Sequence, residues 1–102
     1  MCTDIYRKRI YISGAITGTS DYLQRFQDAE ELFNVNFEVI NPTKIEGAMP
    51  SDASHKEYMS VCFPLLDMAE YIFMLKGWEK STGACQEYGY AKGKGIKVIF
   101  EQ

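Results

Sequence analysis

The sequence predicts an α/β fold, a three-layer domain on a parallel four-stranded sheet in the order 2-1-3-4. Three observations carry that prediction. Apolar, strand-like runs alternate with helix-periodic segments along the whole chain, a rhythm that implies parallel strands joined by right-handed crossovers. The run Tyr71-Ile72-Phe73-Met74-Leu75 is apolar without a break, as a strand covered on both faces requires. Short loops at residues 14–19, 41–43 and 77–83 all fall after strands, and open sheets of this kind bind ligands beyond the carboxyl ends of their strands.

Each element has its own justification. Residues 9–14, Arg9-Ile10-Tyr11-Ile12-Ser13-Gly14, form the expected first strand, β-branched and aromatic and halted by glycine. The small residues that follow, 15–20, suit close approach of backbone N–H groups to a ligand, and equally a plain turn into a helix. Residues 21–33 read as the first helix, because Tyr22, Phe26, Ala29 and Phe33 recur at spacings of four, three and four. Residues 37–40 make a short second strand, stopped where Pro42 cannot donate to a ladder. The longest loop spans 44–54, as a wall for a ligand or a merely mobile stretch. Residues 54–68 read as the second helix, which Pro64 is expected to kink or shorten. The third strand covers 71–75. The third helix covers 81–92, with Ser81 as N-cap and Gly93-Lys94-Gly95 as its stop. Residues 96–100 are the last strand.

One residue stands out from this frame. Ala84, Tyr88 and Ala91 mark the buried stripe of the third helix, and Glu87 lies three residues after Ala84 and four before Ala91. A carboxylate there is costly unless it is paired or used. Two readings stand: Glu87 reaches water or a lysine from the edge of the stripe, or it works in a site. The convergence of three loops at the same sheet edge favours the second.

Composition narrows the possibilities. At 102 residues the chain is expected to form one domain with a single core. Net charge is −3 with no basic cluster, which argues against binding a nucleic-acid polymer. The N-terminus has no signal-peptide core and no apolar run approaches 18 residues, so no membrane partner is expected. Cys2, Cys62 and Cys85 read as free thiols of a reducing, cytoplasmic protein. With His55 the lone histidine and no CxxC pair, neither a metal nor a cofactor is expected. A domain this small, 14% aromatic, is expected to form a homodimer or larger, hiding apolar surface around Tyr58, Phe63 or Trp78.

Three stretches carry a resemblance. Tyr11-Ile12-Ser13-Gly14-Ala15-Ile16-Thr17-Gly18, Ile40-Asn41-Pro42-Thr43 and Gly77-Trp78-Glu79-Lys80-Ser81-Thr82-Gly83-Ala84, followed by Glu87-Tyr88-Gly89-Tyr90-Ala91, resemble the nucleoside 2-deoxyribosyltransferase-like superfamily, and within it a short branch that is DUF4406-like. The likeness runs from about residue 9 to residue 100. It implies a Rossmann- or flavodoxin-like fold and a nucleoside or nucleotide ligand. It also implies cleavage of an N-glycosidic bond, or deoxyribosyl transfer, through Glu87 as nucleophile, with Tyr11 beside it as a catalytic group. The glutamate would attack the anomeric carbon and expel the base, a step whose oxocarbenium-like transition state suits a carboxylate. Substrate contacts are implied at Ser13, Gly14, Ala15, Ile16, Thr17, Gly18, Asn41, Pro42, Trp78, Ser81 and Gly83.

Ser81 refines the substrate class. Transferases of free nucleosides usually carry aspartate at this place, whereas related 5′-monophosphate N-glycosidases carry serine. A hydroxyl at a helix N-terminus suits a phosphate, and it is also simply a good N-cap. The chain departs from its relatives where the monophosphate hydrolases have arginine in the first loop, since Ile16-Thr17-Gly18 stands there. The aspartate that handles the base has no match either; Cys62 falls near its place and Asp67 is the nearest acid. A non-catalytic nucleotide-binding protein using the same pocket is the alternative reading, and a structural or interaction protein the third.

Overall fold

The computed structural model describes residues 7–16 and 20–102. Its strands are β1 (Arg9–Ser13), β2 (Glu38–Ile40), β3 (Tyr71–Met74) and β4 (Lys97–Phe100), and its α-helices are α1 (Tyr22–Phe33), α2 (His55–Asp67) and α3 (Thr82–Lys94). The strands form one sheet in the order β2-β1-β3-β4, and every neighbouring pair is parallel. Class, strand order and strand direction therefore agree with the sequence reading.

Two separate cores follow from the two-residue period of the strands. Ile10, Ile12, Phe73 and Leu75 point to one face and pack with Phe26 and Ala29 of α1. Tyr11, Ile72 and Met74 point to the other and pack with Cys62 and Leu66 of α2 and Ala84 and Ala91 of α3. Register carries the alternation across the sheet, because Tyr11 sits beside Ile72 and Ser13 beside Met74. Ser13 thus shares the α2/α3 face with Tyr11, and this places it in the site.

Helix ends explain where the elements stop. Ser54 caps α2 through a reciprocal capping box: its Oγ accepts from the Glu57 N–H at 3.0 Å, and Glu57 Oε1 accepts from the Ser54 N–H at 2.8 Å. Ser81 caps α3, its Oγ accepting from the Ala84 N–H at 3.2 Å. The glycine stop falls within residues 93–95 as expected, although the helix runs two residues beyond the expected Lys92. α3 continues through Gly93 to Lys94, and Gly95, at φ 77, supplies the left-handed turn that ends it. α2 is likewise not shortened, since Pro64 lies inside a helix that runs on to Asp67. The stretch expected to be a loop at 44–54 is in part a 3-10 helix, Pro42–Ala48, whose first residue is proline and whose N-cap is Asn41.

Candidate functional site

The carboxyl end of the sheet opens into a cleft of about 810 Å³. Its floor is Glu87. The period of α3 puts Ala84, Glu87 and Ala91 on one buried stripe, so the helix turns this carboxyl inward against β1. There Tyr11 Oη donates to Glu87 Oε2 at 2.5 Å and Ser13 Oγ donates to Oε1 at 2.6 Å. Tyr11 and Ser13 are fully buried and Glu87 is 6% exposed. Each carboxyl oxygen therefore has its own hydroxyl donor, supplied by alternate residues of one strand. Among the described residues no lysine or arginine forms an ion pair with Glu87, so the edge-of-helix reading with a lysine partner does not hold.

The electrostatics follow from this isolation. Burial pushes the Glu87 carboxyl above the ordinary carboxylate range, and the Ser13 and Tyr11 hydroxyls and more distant His55 only partly offset it. Burial, followed by the Glu87 charge, drives the Tyr11 phenol well above its ordinary value. Tyr58 is raised in the same way, first by burial, and burial pushes the Cys62 thiol up to about 11. Both hydroxyls and the thiol thus stay protonated at neutral pH, and Tyr11 and Ser13 remain donors to the carboxylate.

The walls come from three other segments. The 3-10 helix contributes Pro42 and Glu46, the start of α2 contributes Ser54, His55, Tyr58 and Met59, and the start of α3 contributes Lys80, Ser81, Thr82 and Gly83. His55 stands over the first turn of α3. Its Nε2 is 3.0 Å from Gln86 Oε1, and a Cβ built on Gly83 would lie 3.3 Å from its Cε1, so α2 and α3 approach closely because residue 83 is glycine. Gly14 has a comparable role at the end of β1. A Cβ there would stand 2.8 Å from both Cβ and Cδ1 of Leu75.

Of the residues the sequence singled out, Gly14, Ile16, Pro42, Ser81, Gly83 and Glu87 line the cleft, with Tyr11 and Ser13 directly behind Glu87. Ala15 is buried beside them without lining the cavity. Thr17 and Gly18 lie outside the described residues. Asn41 stands behind the wall rather than on it. Its Oδ1 accepts from the N–H and the hydroxyl of Thr43 at 3.1 and 2.7 Å, and its Nδ2 donates to Glu30 Oε1 at 3.0 Å. Trp78 also lies elsewhere; its ring packs 4.8 Å from that of Tyr88 and 5.9 Å from that of Phe100, measured between centroids. Phe63 packs 4.7 Å from Tyr90, and Tyr58 spends its hydroxyl on the Pro42 carbonyl at 3.3 Å.

Sequence reasoning missed Glu46, His55, Tyr58 and Met59. One signal was available for the last three, the Ser54-His55-Lys56-Glu57 capping box, which fixes the start of α2 and hence the phase of its inward face. Nothing local marks Glu46. Among the described residues no three His, Cys, Asp or Glu side chains gather closely enough to hold a metal ion. No helix among them is long and apolar enough to cross a membrane.

Fold and site together define a class: a parallel α/β domain with a hydroxyl-clamped glutamate at the floor of a cleft beyond the strand ends. The particular family is given by residues 8–100, which match the model described as a domain of unknown function, DUF4406, and the chain belongs to that family. No curated protein matches the chain.

Proposed function

We propose that the domain cleaves the N-glycosidic bond of a nucleoside or nucleoside 5′-monophosphate, by hydrolysis or by transfer of the deoxyribosyl group, with Glu87 as nucleophile. The observation that carries this reading is the Glu87 carboxyl itself: buried, in no ion pair with a lysine or arginine among the described residues, held at both oxygens by hydroxyls, and facing a cleft. Burial of a charge without an ion pair costs stability, and such costs concentrate at working sites. The resemblance of residues 77–91 to the transferases points to the same side chain.

The chemistry follows from the arrangement. One Glu87 oxygen attacks the anomeric carbon while the bond to the base nitrogen breaks, giving a glycosyl ester. The Tyr11 and Ser13 hydroxyls keep the carboxylate in one rotamer and hold its negative charge until the bond forms. Water or a second base then attacks the same carbon, and Glu87 leaves as carboxylate. Ser81 opens α3 six residues earlier, about 9 Å along the axis, a reach that fits the span from an anomeric carbon to a 5′ phosphate.

A second reading, nucleotide binding without turnover, has its own support. Burial favours the neutral form of Glu87, and a neutral carboxyl binds a polar edge without attacking. Incubation with a panel of 2′-deoxynucleosides and their monophosphates, with chromatography for free base, separates the two. Base release abolished by Glu87→Gln supports catalysis. Ligand-dependent rise in Tm with no release supports binding alone.

A further inference from the structure

Loss of a purine or pyrimidine as a bare anion is slow, so rapid cleavage of an N-glycosidic bond needs a proton for the departing base. Glu87 cannot supply it while acting as nucleophile. Among the described residues only one other carboxyl lines the cleft, Glu46. We infer that Glu46 is the acid that protonates the leaving base, an assignment that rests on the N-glycosidase reading of the same cleft.

Position supports it. Glu46 lies on the 3-10 helix Pro42–Ala48 and lines the cleft. It is half-buried, and its Oε1 accepts from Tyr22 Oη at 3.1 Å, a bond that ties the carboxyl to the first residue of α1 and fixes its direction. Tyr58 lies within electrostatic reach of both Glu46 and Glu87, and all three line the same cleft. The neighbours of Glu46 along this wall are Pro42, Met49 and Pro50 with Tyr58, apolar faces of the kind that receive a flat heterocycle.

The other proton carriers of the cleft fit less well. His55 stands over Gly83, with Nε2 engaged by Gln86. Lys80 is exposed beside Ser81. The Tyr58 hydroxyl donates to the Pro42 carbonyl, and burial makes its proton harder to release. A carboxylic acid facing a carboxylate nucleophile is the arrangement glycosidic cleavage uses.

The step balances. As Glu87 forms its bond to the anomeric carbon, the electron pair of the broken bond passes to the base, and the Glu46 carboxyl gives its proton to a ring nitrogen. Neutral base departs and Glu46 is left ionised. Water attacking the glycosyl ester then returns a proton to Glu46 as Glu87 is freed.

The test compares substrates that need the proton with ones that do not. The probes are 2′-deoxyguanosine 5′-monophosphate against its N7-methyl cation, and 2′-deoxyuridine 5′-monophosphate against its 5-nitro analogue. Each second member has a base that leaves without protonation. Glu46→Gln should lower kcat/KM for the unactivated members about 100-fold or more, and for the activated members by less than about threefold, a split that a purely structural role would not produce. Glu87→Gln should abolish both. Glu46→Ala with added formate should recover part of the lost rate, which covers a Gln variant that folds poorly. An equal loss on both members of a pair, or no loss on either, overturns the Glu46 assignment and leaves the nucleophile standing. A wild-type protein that releases base from none of the four overturns both readings.

Discussion

Replacing Glu87 by glutamine should make the protein more stable and inactive at once. The side chain is 6% exposed, and burial raises its folded-state pKa above that of the unfolded chain. Below the unfolded value the carboxyl is neutral in both states and costs nothing. As pH rises, the unfolded chain ionises first, and stability drains until the folded-state pKa is passed. Each pH unit between the two midpoints removes about 1.4 kcal/mol at neutral pH, or roughly 4–8 °C of Tm in a domain of this length. Glutamine has no such ionisation. It also keeps the clamp, because its carbonyl accepts from one hydroxyl while its amide donates to the oxygen of the other. Thermal unfolding from pH 4 to pH 8 should therefore show Glu87→Gln melting several degrees above wild type at pH 7.5, with the gap closing toward pH 4. Base release should fall at least 100-fold, about 2.7 kcal/mol of barrier. A variant that melts below wild type by a constant amount at every pH would refute the claim that an ionised, uncompensated carboxylate is held in the cleft floor.

The remaining expectations concern the same cleft. Tyr11→Phe deletes one of two donors to a buried carboxylate and should cost about 1.5–3 kcal/mol at neutral pH; it should also move the acid limb of the pH–rate profile upward, as the Glu87 pKa rises further, and an unmoved limb would show that the phenol does not bear on the carboxylate. Gly14→Ala drives a Cβ to 2.8 Å from Leu75 at the junction of β1 and β3 and should destabilise by about 1–3 kcal/mol in denaturant melts. Ser81→Asp should lower the ratio of monophosphate to nucleoside turnover by like-charge repulsion if residue 81 faces the 5′ end; since aspartate caps a helix as well as serine, an unchanged ratio would leave Ser81 as an N-cap alone.

Membership of the DUF4406 family was legible in short motifs, and so was the frame that holds them. Alternating periods give strand and helix order directly: the unbroken apolar run at 71–75 has to be covered on both faces, and Ser81 with Gly95 bracket α3 by local backbone chemistry. Glu87 was conspicuous for the same reason, because three and four residues from alanines on one stripe leave a helix no choice of face. Burial of Glu87, however, depends on what β1 presents, and a carboxylate at the stripe's edge would have looked identical in sequence. Tyr11 and Ser13 reach it only because parallel pairing in the order β2-β1-β3-β4 sets β1 in the middle of the sheet beneath α3. Trp78 shows the opposite case: it sits inside the most distinctive motif, yet its large ring finds Tyr88 and Phe100 and turns from the cleft. Glu46 carries no local signal, since its place in the cavity is set by a 3-10 helix, Pro42–Ala48, that lies far from β1 in sequence. Helix caps and periods are decided by neighbours along the chain. Which hydroxyl meets which carboxylate is decided by strand order and packing, between residues 74 and 76 positions apart.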